Sequence, residues 1–371
     1  MDRVIVAMSG GVDSAVAAAR LVDAGHEVVG VTLHLWDYAD GASSSHGRCC
    51  APEDQYDARR TADLLGFPHY TFDRRELFRQ TVVEPFVAGY LAGQTPSPCA
   101  SCNREVKLSV LFELAGALGA QKVATGHYAR VVQDGLGRFY LAQGRDRKKD
   151  QSYFLYAARR EEIERLVFPL GDSEKAEVRA EAGARRLPGA SKGESQELCF
   201  VGATSAAYAS FVEARANGRI RPGPIVDAEG RTVGAHGGVH RFTIGQRKGL
   251  GVALGKPAFV NRIDVDSGTV HLGDADSLAC TRLWVEGASL HDNVELPRRA
   301  RVRVRHGHDE AWATIEEGCD QDRAPKGALA VTFDEPVRAV SSGQVAVFYD
   351  EDRVLGGGRI ARAELPRDLP S

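Results

Sequence analysis

Through roughly the first 200 residues, short unbroken apolar runs alternate with stretches in which apolar side chains return every three or four positions. "RVIVAM" predicts a buried strand, "SAVAAARLVDAG" an Ala-rich helix closed by Gly25, and "HEVVGVTLHLW" the next strand. "DQYDARRTADLLG" repeats the helical pattern up to Gly66, and "PHYTFD" reads as a strand. "VKLSVLFELAGALGA" then predicts a helix and "QKVATGHYAR" one further strand. Strands that are apolar on both faces, alternating with helices, predict an α/β fold whose doubly wound parallel sheet is covered on both sides.

The rhythm changes near residue 200. Beyond "FVEARANGRIRPGPIV" come short strands punctuated by Gly, Pro and Asp, as in "HRFTIGQRKGLG", "PAFVNRIDVDSGTVHLG" and "GQVAVFYDEDRVLGGGRI". That pattern predicts small antiparallel β modules or barrels. The chain therefore divides into an α/β domain over 1–204, a small central β domain over 205–279 and a C-terminal barrel-like domain over 280–371. "DGASSSHGR" reads as a surface loop.

Composition narrows the class. With 43% hydrophobic and 26% charged residues the chain is an ordinary globular one. No run approaches the roughly 20 apolar residues of a membrane span, and "MDRVIVAMSGG" has no basic leader, so no membrane partner is expected. Seven cysteines, an odd number, argue for a reducing cytoplasm rather than a disulfide framework. A net charge of −3 gives no global attraction to nucleic acid, so any polyanion must meet a local basic patch.

"VIVAMSGGVDSAV" joins a strand, a glycine turn and a helix start. The glycines let backbone approach phosphate oxygens, the helix N-terminus offers N–H groups, and Ser9 and Ser14 add hydroxyls. The spacing is not that of a Walker loop. A plain βα turn capped by Asp13 or Ser14 is the simpler alternative. S-G-G-x-D-S directly after a first strand is more specific, and it resembles the PP-loop of ATP pyrophosphatases.

Cys99 and Cys102 form a C-x-x-C pair in "TPSPCASCNREVK", which zinc, iron–sulfur, redox and catalytic sites all use. Cys199, in "SKGESQELCFVG", read alone is a small core residue. Cys49 and Cys50 in "GRCCAPED" read as loop packing, and Cys280 and Cys319 as structural. Taken with the loop, "TPSPCASCNREVK", "ATGHYAR", "KKDQSYFLY", "FPLGDSEKAEVR", "FTIGQRKGLG" and "VLGGGRI", the chain resembles MnmA-type tRNA-specific 2-thiouridylases nearly end to end.

The resemblance implies that ATP adenylates the C2 oxygen of the wobble uridine of tRNA and that a persulfide sulfur then replaces it. By motif it implies ATP contacts at Ala7, Met8, Ser9, Gly10, Gly11, Val12, Asp13, Ser14, Leu33 and Gly126, with Mg²⁺ neutralising the phosphates. Cys199 matches the persulfide carrier and Cys102 the second catalytic thiol. One thiol can deliver sulfur while the other attacks the persulfide, so an upstream persulfide donor or relay protein is an implied partner. Ser97, Pro98 and Cys99 match positions at the target base. His127, Lys149, Asp150, Gln151, Arg303, Val304 and Gln344 match tRNA contacts.

Cys99 departs from the Asp found there in many relatives. Cys99, Cys102 and Cys199 could alternatively bind three irons of a [4Fe–4S] cluster, leaving the fourth open to sulfide. The cluster-free pair is favoured because relatives with Asp share the other motifs. In "RRARVRVRHGH", arginines 299, 301, 303 and 305 alternate and predict a basic stripe on one strand face. "GQRKGLG" is a further basic turn. A metabolite ligase of the same superfamily, or a non-catalytic tRNA-binding or iron–sulfur module, are the competing readings.

Overall fold

The computed structural model describes residues 1–37, 52–190, 192, 198–201, 205–291, 294–319 and 325–365. It separates into two compact units, one of residues 1–82, 98–203 and 352–354, the other of 83–97, 204–351 and 355–371.

The first unit is built on a parallel sheet. Its strands are β1 (Arg3–Ala7), β2 (Glu27–His34), β3 (His69–Asp73), β4 (Lys122–Ala124) and the short Leu166–Val167, in the order β3-β2-β1-β4 and then Leu166–Val167. Helices α1 (Val12–Asp23) and α2 (Pro52–Leu65) join the first three strands. Val4 and Val6 pack with Ala18, Leu21, Ala58 and Ala62 of these helices. Ile5, between the two valines, is also fully buried, and the helix Ser109–Ala117 covers β1 and β4. A strand buried on both faces is what its unbroken apolar run requires. The alanines of α1 let it lie close to the sheet, and Gly25 and Gly66 end the two helices with φ of +79° each.

Two expectations need correcting in detail. "QKVATGHYAR" is two strands, β4 and Ala129–Gln133, because the chain leaves the sheet at Thr125–Tyr128. The second of these forms a hairpin with Phe139–Gln143. The helix expected to begin at Val106 begins at Pro98, continues through a wide π turn over Cys102–Leu108, and runs on to Ala117. Proline suits the first helical position, where its missing N–H costs nothing.

The second unit contains two β modules. Gly223–Val226, Thr232–His236, Phe259–Asp264 and Thr269–Gly273 form one sheet around Ile225, Phe242, Leu250, Val260 and Val270. In the other, Ala279–Leu290 pairs with both Leu329–Arg338 and Arg353–Glu364. Ala311–Glu317, Arg298–Arg303 and Val345–Asp350 complete the ring, which is thereby closed into a barrel. Leu283, Val302, Ile315, Val331, Phe348 and Ile360 fill it. The helix Glu84–Leu91 belongs to this unit through Phe86, which meets the rings of Tyr208 and Phe211 at 6.3 and 6.1 Å.

Candidate active site

The strand order reverses between β1 and β4, and α/β sheets bind ligands at the carboxyl ends of such strands. Here β1 runs out into Met8–Gly11 and β4 into Thr125–His127. Met8 N–H still bonds Val31 O at 2.8 Å, so the loop leaves the sheet only after Met8. Ser14 Oγ accepts from Ser9 N–H at 3.1 Å and donates to Gly11 O at 3.0 Å, tying the loop to the first turn of α1. The amides of Gly10, Gly11 and Val12 have no partner among the described residues, as the start of a helix leaves them. They are available to an anion.

The two glycines differ. Gly10 has φ +72°, and a Cβ there would lie 2.0 Å from the Asp54 carbonyl oxygen of α2. Gly11 is extended (φ −87°, ψ 163°), and a Cβ there would meet only Ser9 Oγ, at 3.5 Å. Gly126 also leaves no room for a side chain, since its Cβ would lie 2.9 Å from Asp13 C and Ser14 N. The β4 loop therefore rests directly on the N-terminus of α1. Leu33 is buried in β2.

Asp13 opens the helix, and Lys175 Nζ donates to both its carboxylate oxygens at 2.7 Å. Tyr128 Oη donates to the same carboxylate at 2.9 Å, and the Lys175 ammonium lies 5.5 Å from the Tyr128 ring centroid. Tyr128 is held in turn by Gln151, whose Oε1 accepts from Tyr128 N–H at 3.0 Å. Beside the loop, Lys192 Nζ bridges Asp54 and Asp57 at 2.6 Å each. Burial pushes the Asp54 carboxyl above its ordinary range, and Lys192 draws it back. The sequence reading assigned no role to Lys175, Tyr128, Lys192 or Asp54. Lys175 lies in the quoted "FPLGDSEKAEVR", but only the fold brings it to Asp13, 162 positions away.

Thr125 Oγ1 and His127 Nδ1 are 2.7 Å apart, and the imidazole meets the Phe168 ring edge-on. Burial, with Lys107 adding like charge, drives His127 down to about 3, so its ring is neutral at physiological pH. In "KKDQ", Asp150 is buried and its carboxylate accepts from Gly144 N–H, Ser152 N–H and Ser152 Oγ. Lys148 is exposed and Lys149 half-buried.

Cys102 begins the π turn and is buried at 6% exposure, while Cys99 is half-buried. Next to Cys102, Asn103 is buried with its Oδ1 unpartnered among the described residues. Cys199 is half-buried in a turn closed by Val201 N–H to Leu198 O. Its neighbour Phe200 anchors that turn against Trp36 and Phe78, with ring centroids 6.0 and 5.5 Å away. The helix Arg75–Phe78 also packs on the Cys102 turn, so both thiol-bearing segments lean on one short helix. Cys280 is fully buried, its thiol pushed up to about 12 by desolvation, and Cys319 is exposed. Cys49 and Cys50 lie outside the described residues.

In the second unit, Arg299, Arg301 and Arg303 share the outer face of their strand, while Ala300, Val302 and Val304 point into the barrel. The strand ends at Arg303, so Arg305 lies beyond the stripe. It is also an inner strand, paired on both sides. Gln344 Nε2 donates to Thr95 O at 2.8 Å, holding the segment that leads to Ser97. Pro98 is buried at the start of its helix.

Residues 2–203 match the family described as the tRNA methyl transferase HUP domain, 209–274 its PRC-barrel domain, and 281–360 an aminomethyltransferase beta-barrel domain. A tRNA-specific 2-thiouridylase MnmA from Sorangium cellulosum is 62% identical over 97% of this chain and 92% of its own. The proteins of the same name from Moorella thermoacetica and Chloroflexus aggregans are 46% and 44% identical, over 96% and 98% of this chain and 98% and 100% of theirs. Among the described residues no helix is long and apolar enough to cross a membrane.

Proposed function

The chain belongs to the family of tRNA-specific 2-thiouridylases, and from that premise we propose how its own residues carry the reaction. The chain is an ATP-binding enzyme that transfers sulfur to C2 of uridine in tRNA. The family descriptions speak of methyl transfer. The relatives, matched over nearly the whole of both chains, carry the sulfur reading.

The observation that supports the mechanism best is the Ser-Gly-Gly loop with unpartnered amides at the switch point of the sheet. These amides and the α1 N-terminus hold the phosphates of ATP, and Ser9 and Ser14 line the turn. Asp13, kept in place by Lys175 and Tyr128, is the carboxylate positioned to meet an Mg²⁺ ion that arrives with ATP, and such an ion neutralises phosphate charge. The C2 oxygen of the wobble uridine attacks the α-phosphorus, and pyrophosphate leaves into the loop. Neutral His127 presents its remaining ring nitrogen to the RNA, and Lys149 its ammonium.

Sulfur enters as a persulfide on Cys199, loaded by an upstream donor. Its outer sulfur bonds C2, and the thiolate of Cys102 attacks the inner sulfur. A Cys102–Cys199 disulfide forms, AMP leaves with the former C2 oxygen, and C2 keeps the sulfur. An external reductant then restores both thiols, which suits a cytoplasmic setting. Among the described residues no three His, Cys, Asp or Glu side chains converge as metal ligands. We read Cys102 and Cys199 as the working pair without a cluster, with Cys99 at the target base.

Cys199→Ser separates the half-reactions. With tRNA, ATP and a persulfide donor, the variant should release pyrophosphate yet form no 2-thiouridine by nucleoside mass spectrometry. Thiolation at the wild-type rate would refute the persulfide role.

A further inference from the structure

Several arginines of the second unit already hold carboxylates. On the barrel, Arg299 pairs with Asp334 at 2.7 Å, Arg301 and Arg303 share Glu310 at 3.1 and 2.7 Å, and Arg298 pairs with Asp350. Each has a carboxylate already, which a phosphate must displace. Arg247, Lys248 and Lys256 are different. All three are exposed, and their side chains make no ion pair or hydrogen bond among the described residues.

These three cations lie on one loop of the central β module. The loop turns through left-handed glycines at Gly245, Gly249, Gly251 and Gly255, with φ between +69° and +84°. It walls a cleft of about 340 Å³ lined by Arg247, Leu250, Val252, Leu254, Lys256 and Pro257, with no carboxylate in the lining. Leu250 is part of the module core, and Val252 and Leu254 pack against it, so the floor is apolar.

An apolar floor between two uncompensated cations matches one nucleotide, whose base has an apolar face and whose phosphates are anionic. Pockets of about 300 Å³ hold a small ligand rather than a helix, and a duplex keeps its base faces stacked inside. We propose that this cleft is a further RNA site, taking an unpaired nucleotide of the substrate tRNA against Leu250, Val252 and Leu254, with its phosphates on Arg247 and Lys256. The Arg247 guanidinium can also stack on the base. This inference rests on the reading that tRNA is the substrate.

The test is tRNA binding by the full-length Arg247→Ala/Lys256→Ala variant across a salt series. Losing two phosphate contacts to a single strand should lower the slope of log K against log salt by about 1.4 and weaken binding at least about tenfold near physiological salt. ATP affinity and the thermal midpoint should be unchanged. Wild-type affinity and slope would overturn the cleft while leaving the sulfurtransferase reading intact. Failure of the unaltered chain to bind or thiolate tRNA would instead overturn that reading. Independently of any variant, ultraviolet crosslinking of wild-type protein to tRNA should leave a nucleotide adduct within 245–258. Adducts confined to other segments would count against the site.

Discussion

Replacing Gly11 by alanine is expected to weaken nucleotide binding with the fold intact, whereas replacing Gly10 is expected to damage the fold itself. At Gly11 the backbone is open to any residue, and the new methyl meets only Ser9 Oγ at 3.5 Å. Alanine caps a helix less well than glycine, by about 0.5–1 kcal/mol, but restricts the unfolded chain by about 0.4–1 kcal/mol. Net stability should stay within about 0.5 kcal/mol, or a degree or two in Tm. The methyl would stand where a phosphate meets the amides, so ATP affinity should fall at least about tenfold, or 1.4 kcal/mol. At Gly10 the left-handed φ alone costs an alanine about 1–2 kcal/mol. The 2.0 Å approach to Asp54 O forces the backbone to move as well. Calorimetric ATP titration and thermal unfolding of both variants check this. Wild-type ATP affinity in Gly11→Ala would refute the phosphate cradle, and a large Tm loss there would refute the idea that the space is reserved for ligand.

Lys175→Met keeps the aliphatic packing on Tyr128 but leaves Asp13 uncompensated beside the phosphates. ATP should bind about tenfold more weakly, with partial recovery in Lys175→Arg, and unchanged binding would deny the ion pair a role. His127 has a folded-state value of about 3, below its unfolded value of about 6.5. Its contribution to stability is full above about 6.5 and lost as pH falls toward 3. The urea midpoint of wild type should therefore drop more between pH 7.5 and 5 than that of His127→Gln, and parallel profiles would contradict the desolvated neutral ring. Desolvation makes the Cys280 thiol inert and exposure leaves Cys319 reactive, so iodoacetamide mass mapping of the native protein should label Cys319 well before Cys280. The reverse order would be inconsistent with the barrel packing.

The parallel sheet was legible because β1, β2 and the helices between them obey one simple period each, and Gly25 and Gly66 mark the helix ends. Legibility failed where a tertiary contact decides the local geometry. Thr125–Tyr128 has enough β-formers to extend β4, yet Gly126 must turn there to lie against α1. The alternating arginines 299, 301 and 303 were visible, but not that Asp334 and Glu310 neutralise them. The loop at Ser9–Ser14 was readable as a motif, since its chemistry is local. Lys175 and Tyr128 were not, because their meaning arises only from the long-range contact with Asp13.

The division of the chain carries a consequence for how the protein is made. The hairpin Ala129–Gln143 is completed by residues 352–354. Gln143 N–H bonds Asp352 O at 2.8 Å, Ala142 pairs with Arg353, and Arg130 forms an ion pair with Asp352. On the ribosome, where domains generally fold in order of emergence, the first unit cannot be finished until residues 352–354 have been made. A nascent chain released at residue 204 would carry the phosphate loop, both working thiols and Cys99, yet present a bare hairpin edge open to pairing with another chain. Expression of that fragment alone should give aggregates, and supply of the remaining polypeptide in trans should restore its solubility.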